Sequence, residues 1–373
     1  MNFLVVSIPF EMILITVKSK RMKSTYLLIS FLTVAFLVSC KNQIKRENNQ
    51  LVIGRGQVPS IARDSKNNLY IVYGTGDSIM YSFSNNNGKE FSPPSLVAVL
   101  PKLAASHMRG PQIAATTDGI TIIASNKPGD IFSYIKDDSG KWLQTGKVND
   151  VADVAKEGFM SLSAEGKNTF AVWLDLRDKH NKIFGARSAD GGKTWSANKL
   201  IYASPDTTVC ECCKPSVAIR GNKVFVMFRN WLHGNRDLHL IQSVDGGNTF
   251  GEAKKLGNDS WALNGCPMDG GGLSINKNGD PETVWRRKKT IYACVPGQPE
   301  TAIGEGRSCT IVSVNGKNVY AWTENEEVVI LKPMGMKKVL GKGSLPVLTA
   351  INNQHILCVW ENDNQIQAAI IEL

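Results

Sequence analysis

Ser188–Trp195 reads Ser-Ala-Asp-Gly-Gly-Lys-Thr-Trp, and Ser243–Phe250 reads Ser-Val-Asp-Gly-Gly-Asn-Thr-Phe. Ser84–Phe91 keeps the frame with Asn86 in place of the Asp, and a clipped copy runs from Asp138 to Trp142. Keyed on residues 86, 138, 190 and 245, the copies step by 52, 52 and 55. A fixed period of this size marks a modular array in which each unit buries its apolar face against the next. Within the pattern, Asp or Asn caps a turn by accepting backbone N–H bonds. The following Gly takes the positive φ of a tight hairpin, and the aromatic opens the next strand.

Seven units are legible. Each opens on a small-residue turn and an apolar strand: at Pro59, Pro111, Met160, Pro215, Gly271, Cys309 and Pro346. Second strands end alike, as in Val172-Trp173, Val284-Trp285, Ala321-Trp322 and Val359-Trp360. Turn signals every eight to twelve residues predict all-β units. Val52-Ile-Gly-Arg-Gly56 matches Ala302-Ile-Gly-Glu-Gly306 and Val339-Leu-Gly-Lys-Gly343. The later two read as last strands of their units. The first has no earlier unit to serve, so Leu51–Gly54 is expected to complete the final sheet and close a ring.

In the form Ser-x-Asp-x-Gly-x-x-Trp the pattern resembles the Asp-box, or BNR, repeat of sialidase-like β-propellers. The resemblance implies an all-β propeller over residues 51–373, with these turns on the outer rim, away from any catalytic site. Seven blades are favoured. Six, as in catalytic sialidases, is the alternative if the two short last units are one blade. The family's three carboxylate-binding arginines, Tyr nucleophile with its Glu, and Asp acid/base carry over poorly. Where the family has Phe-Arg-Ile-Pro, this chain has Gly56-Gln57-Val58-Pro59, with Arg55 two residues off. Asp77 is the nearest candidate for the acid/base position, and Tyr292 and Tyr320 fall inside expected strands.

Residues 1–39 read as a signal peptide whose natural start is Met22, with an apolar stretch from Tyr26 to Leu37. Leu37-Val-Ser-Cys40 resembles a lipobox, which makes Cys40 the lipidation site and residues 40–50 a tether. The expected location is the bacterial cell envelope, lipid-anchored at the outer membrane, with the membrane itself as one partner. Removing Lys18, Lys20, Arg21, Lys23 and Glu11 lowers the net charge from +10 to +7. The basic residues are scattered, so nucleic acid is not expected as a partner.

The repeat phase places the loops entering first strands and leaving second strands on one face, around the channel. That face collects Arg109, Arg177, Arg229, Arg286 and Arg307, a set suited to a carboxylate or sulfate because guanidinium grips such groups bidentately. No catalytic residue is assigned by pattern. Asp175, Asp269 and Glu324 are the carboxylate candidates, and each is equally suited to pairing with an arginine. Cys210-Glu-Cys-Cys213 and Cys266-Pro267 enter neighbouring blades. Their four sulfurs are expected to form disulfides, with Cys266 taking Cys212 or Cys213. A soft metal ion such as Cu(I) or Zn(II) held by Cys210, Cys212, Cys213 and Cys266 is the alternative, and free thiols a third. Otherwise no cofactor is implied. Cys294, Cys309 and Cys358 read as core residues.

The expected function is glycan-directed: a divergent exo-glycosidase, or a protein that binds an acidic glycan or other anionic ligand without catalysis. A metal- or redox-linked envelope protein using the cysteine loops, and an interaction scaffold, are the alternatives.

Overall fold

A computed structural model describes residues 50–137 and 139–373, together with the short strand Arg46–Glu47. The expected signal peptide, Cys40 and Asp138 lie outside the described residues. Six antiparallel sheets have four strands and a seventh has five. Blade 1 runs from Gln57 to Val99, blade 2 from Gln112 to Lys147 and blade 3 from Met160 to Tyr202. Blade 4 runs from Ser216 to Lys255, blade 5 from Gly271 to Glu305 and blade 6 from Arg307 to Lys342. Blade 7 consists of Ser344–Ala350, His355–Asn362 and Gln365–Glu372, joined by Gln50–Arg55 and, at its edge, by the two-residue strand Arg46–Glu47. The closing strand pairs Leu51 with Ala368 and Arg55 with Gln365, as the repeated motif predicts. First strands of successive blades touch one another and line the hub.

Second strands are buried on both faces because each blade lies between two others. Val224–Phe228 is an unbroken buried run for this reason, where a sheet facing water would alternate. The core consists of seven apolar clusters, each drawn from two adjacent blades. One of them joins Ile53, Leu357 and Val359 of blade 7 to Leu69, Ile71 and Tyr73 of blade 1, so no interface is left open.

The Gly-x-Gly repeat has a steric cause. A Cβ on Gly54 would lie 2.1 Å from Tyr73 Oη, and one on Gly304 would lie 2.4 Å from Trp322 Cζ2. The chain crosses a second-strand ring of the next blade too closely for any side chain. It then bulges opposite that same ring. Val58-Pro59 faces Tyr73, Ser308-Cys309 faces Trp322 and Leu345-Pro346 faces Trp360, two residues against one. Val58, Ser308 and Leu345 take φ of 52°, 55° and 54°.

The rim turns are built as the pattern implies. Ser188 Oγ donates to Asp190 Oδ1 (2.7 Å) and accepts from Gly192 N (2.8 Å), while Asp190 Oδ1 accepts from Thr194 N (2.9 Å). Ser243–Thr249 repeats this geometry, and Ser84–Glu90 repeats it with Asn86. Each turn also clamps onto the preceding blade. The Gly191 and Gly192 carbonyls accept from Thr121, Ser133 and Thr145 of blade 2, and Gly247 lies against Phe170 of blade 3. In the clipped copy Asp137 serves as a turn acid. Asp137 Oδ1 accepts from Ser139 N and Lys141 N, four residues on as in the complete copies.

Ile53→Ala removes a side chain that is 1% exposed from the closing interface. It is expected to cost about 2–5 kcal/mol, read as a lower urea midpoint.

Candidate functional site at the hub

All seven blades contribute to one channel cavity of about 200 Å³. Val58, Met108, Ser161, Lys214, Asp269 and Ser308 are among its lining residues. Lys214 precedes the first strand of blade 4 and reaches across the channel. Its Nζ donates to Gln112 Oε1 of blade 2 at 2.8 Å. Gln112 is itself oriented by donating to the Gly110 and Pro111 carbonyls. The residue lines the cavity and is half-buried, and desolvation of its ammonium lowers its pKa to about 8. Sequence reasoning missed Lys214. The signal was its place directly before Pro215 at a blade opening.

The mouth beside it collects groups from blades 2 to 5. Arg109 Nε donates to the Glu157 carbonyl (2.7 Å), its Nη2 lies 3.9 Å from Glu157 Oε2, and the guanidinium covers Phe159. Burial, and then the like charge of Glu211, hold the Glu157 carboxyl above its usual range against the pull of Arg109. Glu157 thus feels both Arg109 and the Cys210–Cys213 loop, so those two loops share one side of the disc. Glu157 also escaped the sequence reading, although it stands as far before its strand as Arg109 does before its own.

The five arginines do not form one ring. Arg229 and Arg286 belong together. Both guanidiniums lie 5.4 Å from the Trp261 ring, and Arg229 Nη2 donates to the Arg286 carbonyl (2.9 Å). Arg229 is 2% exposed, and its Nε has no hydrogen-bond partner. Arg307 lines a separate cleft with Arg286, Lys289 and Glu324. Arg177 is spent on its own blade, bonded to Asp175 and Asn198 and paired with Asp150 at 3.2 Å.

The three carboxylate candidates are each engaged. Asp175 is fully buried and accepts from the Trp173 indole (2.8 Å) and from Arg177. Glu324 repeats the arrangement, accepting from the Trp322 indole (2.9 Å) and from Lys337. Although burial opposes it, these partners hold Glu324 below its usual pKa. Asp269 is fully buried, accepts from Arg286 Nε (2.6 Å) and receives the N–H of the bulge residue Ser308 (3.2 Å). Burial raises its pKa, with Arg286 and Arg229 opposing. Glu361 performs the same service for the bulge at Val58, whose N–H it accepts at 2.7 Å.

The cysteines divide into two kinds. Cys212 and Cys266 form a disulfide, Cα–Cα 6.2 Å, that staples the entry loop of blade 4 to that of blade 5. Cys210 and Cys213 are buried thiols 3.5 Å apart. Of the two expected disulfides one is made, and with two sulfurs joined the alternative four-thiolate metal set is not assembled in this structure. Cys294, Cys309 and Cys358 are buried in blades 5, 6 and 7, as expected of core residues. His233 stands apart, 80% exposed and beside Asp206.

No family model matches the chain, and no curated protein matches it. Among solved structures it is similar to an α-L-arabinanase of Penicillium chrysogenum complexed with arabinobiose. The TM-score is 0.52 at 12% identity, over 88% of this chain and 99% of that one. An α-L-arabinofuranosidase of Fusarium graminearum in complex with an iminosugar inhibitor matches with a TM-score of 0.51 at 13% identity, covering 87% and 97%. An ulvan lyase bound to a GlcA–Rha3S ligand matches with a TM-score of 0.54 at 8% identity, covering 88% and 96%. At such identities the likeness speaks for the fold alone. With its rim turns clamped between seven four-stranded or larger sheets, the chain has a seven-bladed β-propeller fold.

Proposed function

We propose that this chain is an exported propeller, anchored in the bacterial cell envelope through a lipid on Cys40, that holds an acidic glycan by its carboxylate or sulfate at the hub. The observation that carries the reading is Lys214. A desolvated ammonium facing a cavity, with a neutral amide as its hydrogen-bond partner, attracts an anion more strongly than an exposed one would. Arg109, held by Glu157 on the neighbouring loop, is the second cation of this reading. Propellers of like fold bind arabinobiose and a GlcA-containing ligand, the latter an acidic sugar. Asp175, Asp269 and Glu324 hold the loops in this reading and do not act on the ligand.

Hydrolysis is the second reading, and Glu157 favours it. A carboxyl whose pKa is raised by burial and a like charge suits a general acid. Under that reading the protein releases the aglycone from aryl glycosides of acidic sugars, and Glu157→Gln abolishes the release.

Calorimetric titration with sialyllactose and uronic acid oligosaccharides, beside neutral counterparts, tests the binding reading. Lys214 is charged below about 8 and loses its proton above that value. Affinity for the acidic ligand is therefore expected to be full at lower pH and to fall as pH rises through about 8. Lys214→Met is expected to weaken binding about ten- to a hundred-fold, the size of one charge-assisted hydrogen bond. Equal affinity for neutral and acidic ligands, unchanged across that pH range, sinks the proposal.

Asp175→Asn and Glu324→Gln are expected to leave that affinity unchanged while lowering stability in urea unfolding. The first is expected to cost up to about 3 kcal/mol, the lower end for breaking a buried pair, because Arg177 keeps some contact with water.

A further inference from the structure

We propose that Cys210, Cys212, Cys213 and Cys266 form an internal thiol–disulfide exchange centre, in which the disulfide moves from the cross-blade pair Cys212–Cys266 to the local pair Cys210–Cys213. The inference stands apart from the glycan reading and rests on where four sulfurs lie.

Cys210 Sγ is 3.8 Å from the disulfide sulfur of Cys212 and 3.5 Å from Cys213 Sγ, so one thiol touches both possible partners. Cys210 and Cys213 are 0% and 2% exposed. An external partner cannot reach them, and the electrophile within contact is the protein's own disulfide. The surroundings favour a thiolate at Cys210. Arg236 Nη1 donates to its Sγ at 3.1 Å, and Arg229 lies next to it. The hydrogen bond shared with Cys213, helped by these two cations, lowers the Cys210 thiol from its usual range, the direction that activates an attacking cysteine. Burial, and then the neighbouring Cys210, push Cys213 upward, which keeps its proton on to donate. The other buried cysteines differ: Cys309 feels Arg229 and Arg286 too, but burial and then Asp269 push its thiol up. Cys294 donates to the Val295 and Gln298 carbonyls, and Cys358 is packed among apolar residues of blades 6 and 7.

The exchange needs no external oxidant. In the first step the Cys210 thiolate attacks Cys212 Sγ. A Cys210–Cys212 bond forms, the Cys212–Cys266 bond breaks, and its electron pair leaves on Cys266, which takes up the proton that Cys210 gave to solvent. In the second step Cys213, after losing its proton, attacks Cys210 Sγ. The Cys210–Cys213 bond forms and Cys212 leaves as a thiolate that is then protonated. One disulfide and two thiols are present before and after, so no net oxidation or reduction occurs.

The exchange is read out at the hub. The staple spans 54 residues of sequence, whereas its replacement closes a four-residue loop. Releasing Cys266 unties the segment whose Pro267 carbonyl accepts from Arg286 (2.6 Å) and which continues into Asp269.

The test uses the full chain purified without reductant, exposed in the native state to N-ethylmaleimide over time, then acid-quenched and mapped by peptide mass spectrometry. Cys266 is exposed and Cys212 half-exposed, so both are labelled once released. Wild-type protein is expected to accumulate maleimide on Cys212 and Cys266 together with a Cys210–Cys213 link. Cys210→Ser is expected to keep Cys212–Cys266 intact and unlabelled. Cys213→Ser is expected to stop after the first step, with Cys266 labelled and Cys210 linked to Cys212. A wild-type time course that shows only an intact, unlabelled Cys212–Cys266 pair overturns the proposal, and that arm decides even if a variant fails to fold. Labelling of Cys266 at the wild-type rate in folded Cys210→Ser overturns it equally.

Discussion

Ile53 packs against Leu357, Val359 and Tyr73, and through that contact the two ends of the described chain meet in one sheet interface. The other interfaces depend on this one. Each blade buries both faces of its second strand, so a blade without two neighbours leaves a wide apolar surface in water. A linear stack of such sheets would expose one surface at each end, whereas the ring exposes none. Closure also caps the sheet edge that the last three strands would otherwise present.

The ring imposes a second constraint at its centre. First strands converge there, and at three junctions the backbone passes from the outer strand of one blade to the hub of the next through a single residue, Gly56, Gly306 or Gly343. Blades 1, 6 and 7 meet this with one device: glycines crossing an aromatic ring, then a bulge with positive φ. A bulge strands a backbone N–H. Glu361 takes the one at Val58 and Asp269 the one at Ser308. Carboxylates at this mouth are thus used first for backbone accounting, which is why charge and position alone do not make them catalytic. The groups left over for a ligand are those that serve no bulge, Lys214 and Arg109 foremost.

The cysteine loops sit where this accounting is tightest. Arg229 is buried against Trp261, Arg236 and the Arg286 carbonyl, and Asp269 answers it across the gap between blades 4 and 5. A covalent link across that same gap means that the disulfide and the charge cluster hold the same two loops. Any change in the link alters how firmly Arg286 and Asp269 are placed beside the channel.

The sequence by itself determined the fold. Four Asp-box echoes set the period, Val52–Gly56 announced the closing strand, and seven blade openings counted the units, because each is a local pattern that every blade must repeat. It also marked which loops gather at the hub, since the phase of a repeat assigns each loop to a face. In the clipped copy the two offsets disagree: Asp138 keeps the spacing to its glycine, while Asp137, whose carboxylate accepts from Lys141 N, keeps the spacing to the aromatic. Tertiary structure alone decided how the hub residues are used. Lys214 and Glu157 look unremarkable in sequence and become distinctive only when burial removes their water. Asp175 and Glu324 read in sequence as either ligand groups or partners of arginine, and are taken by the indoles of Trp173 and Trp322 two residues earlier. Which cysteine Cys266 joins was equally undecidable, because partners separated by 54 residues are chosen by the angle between two blades and not by anything local to either.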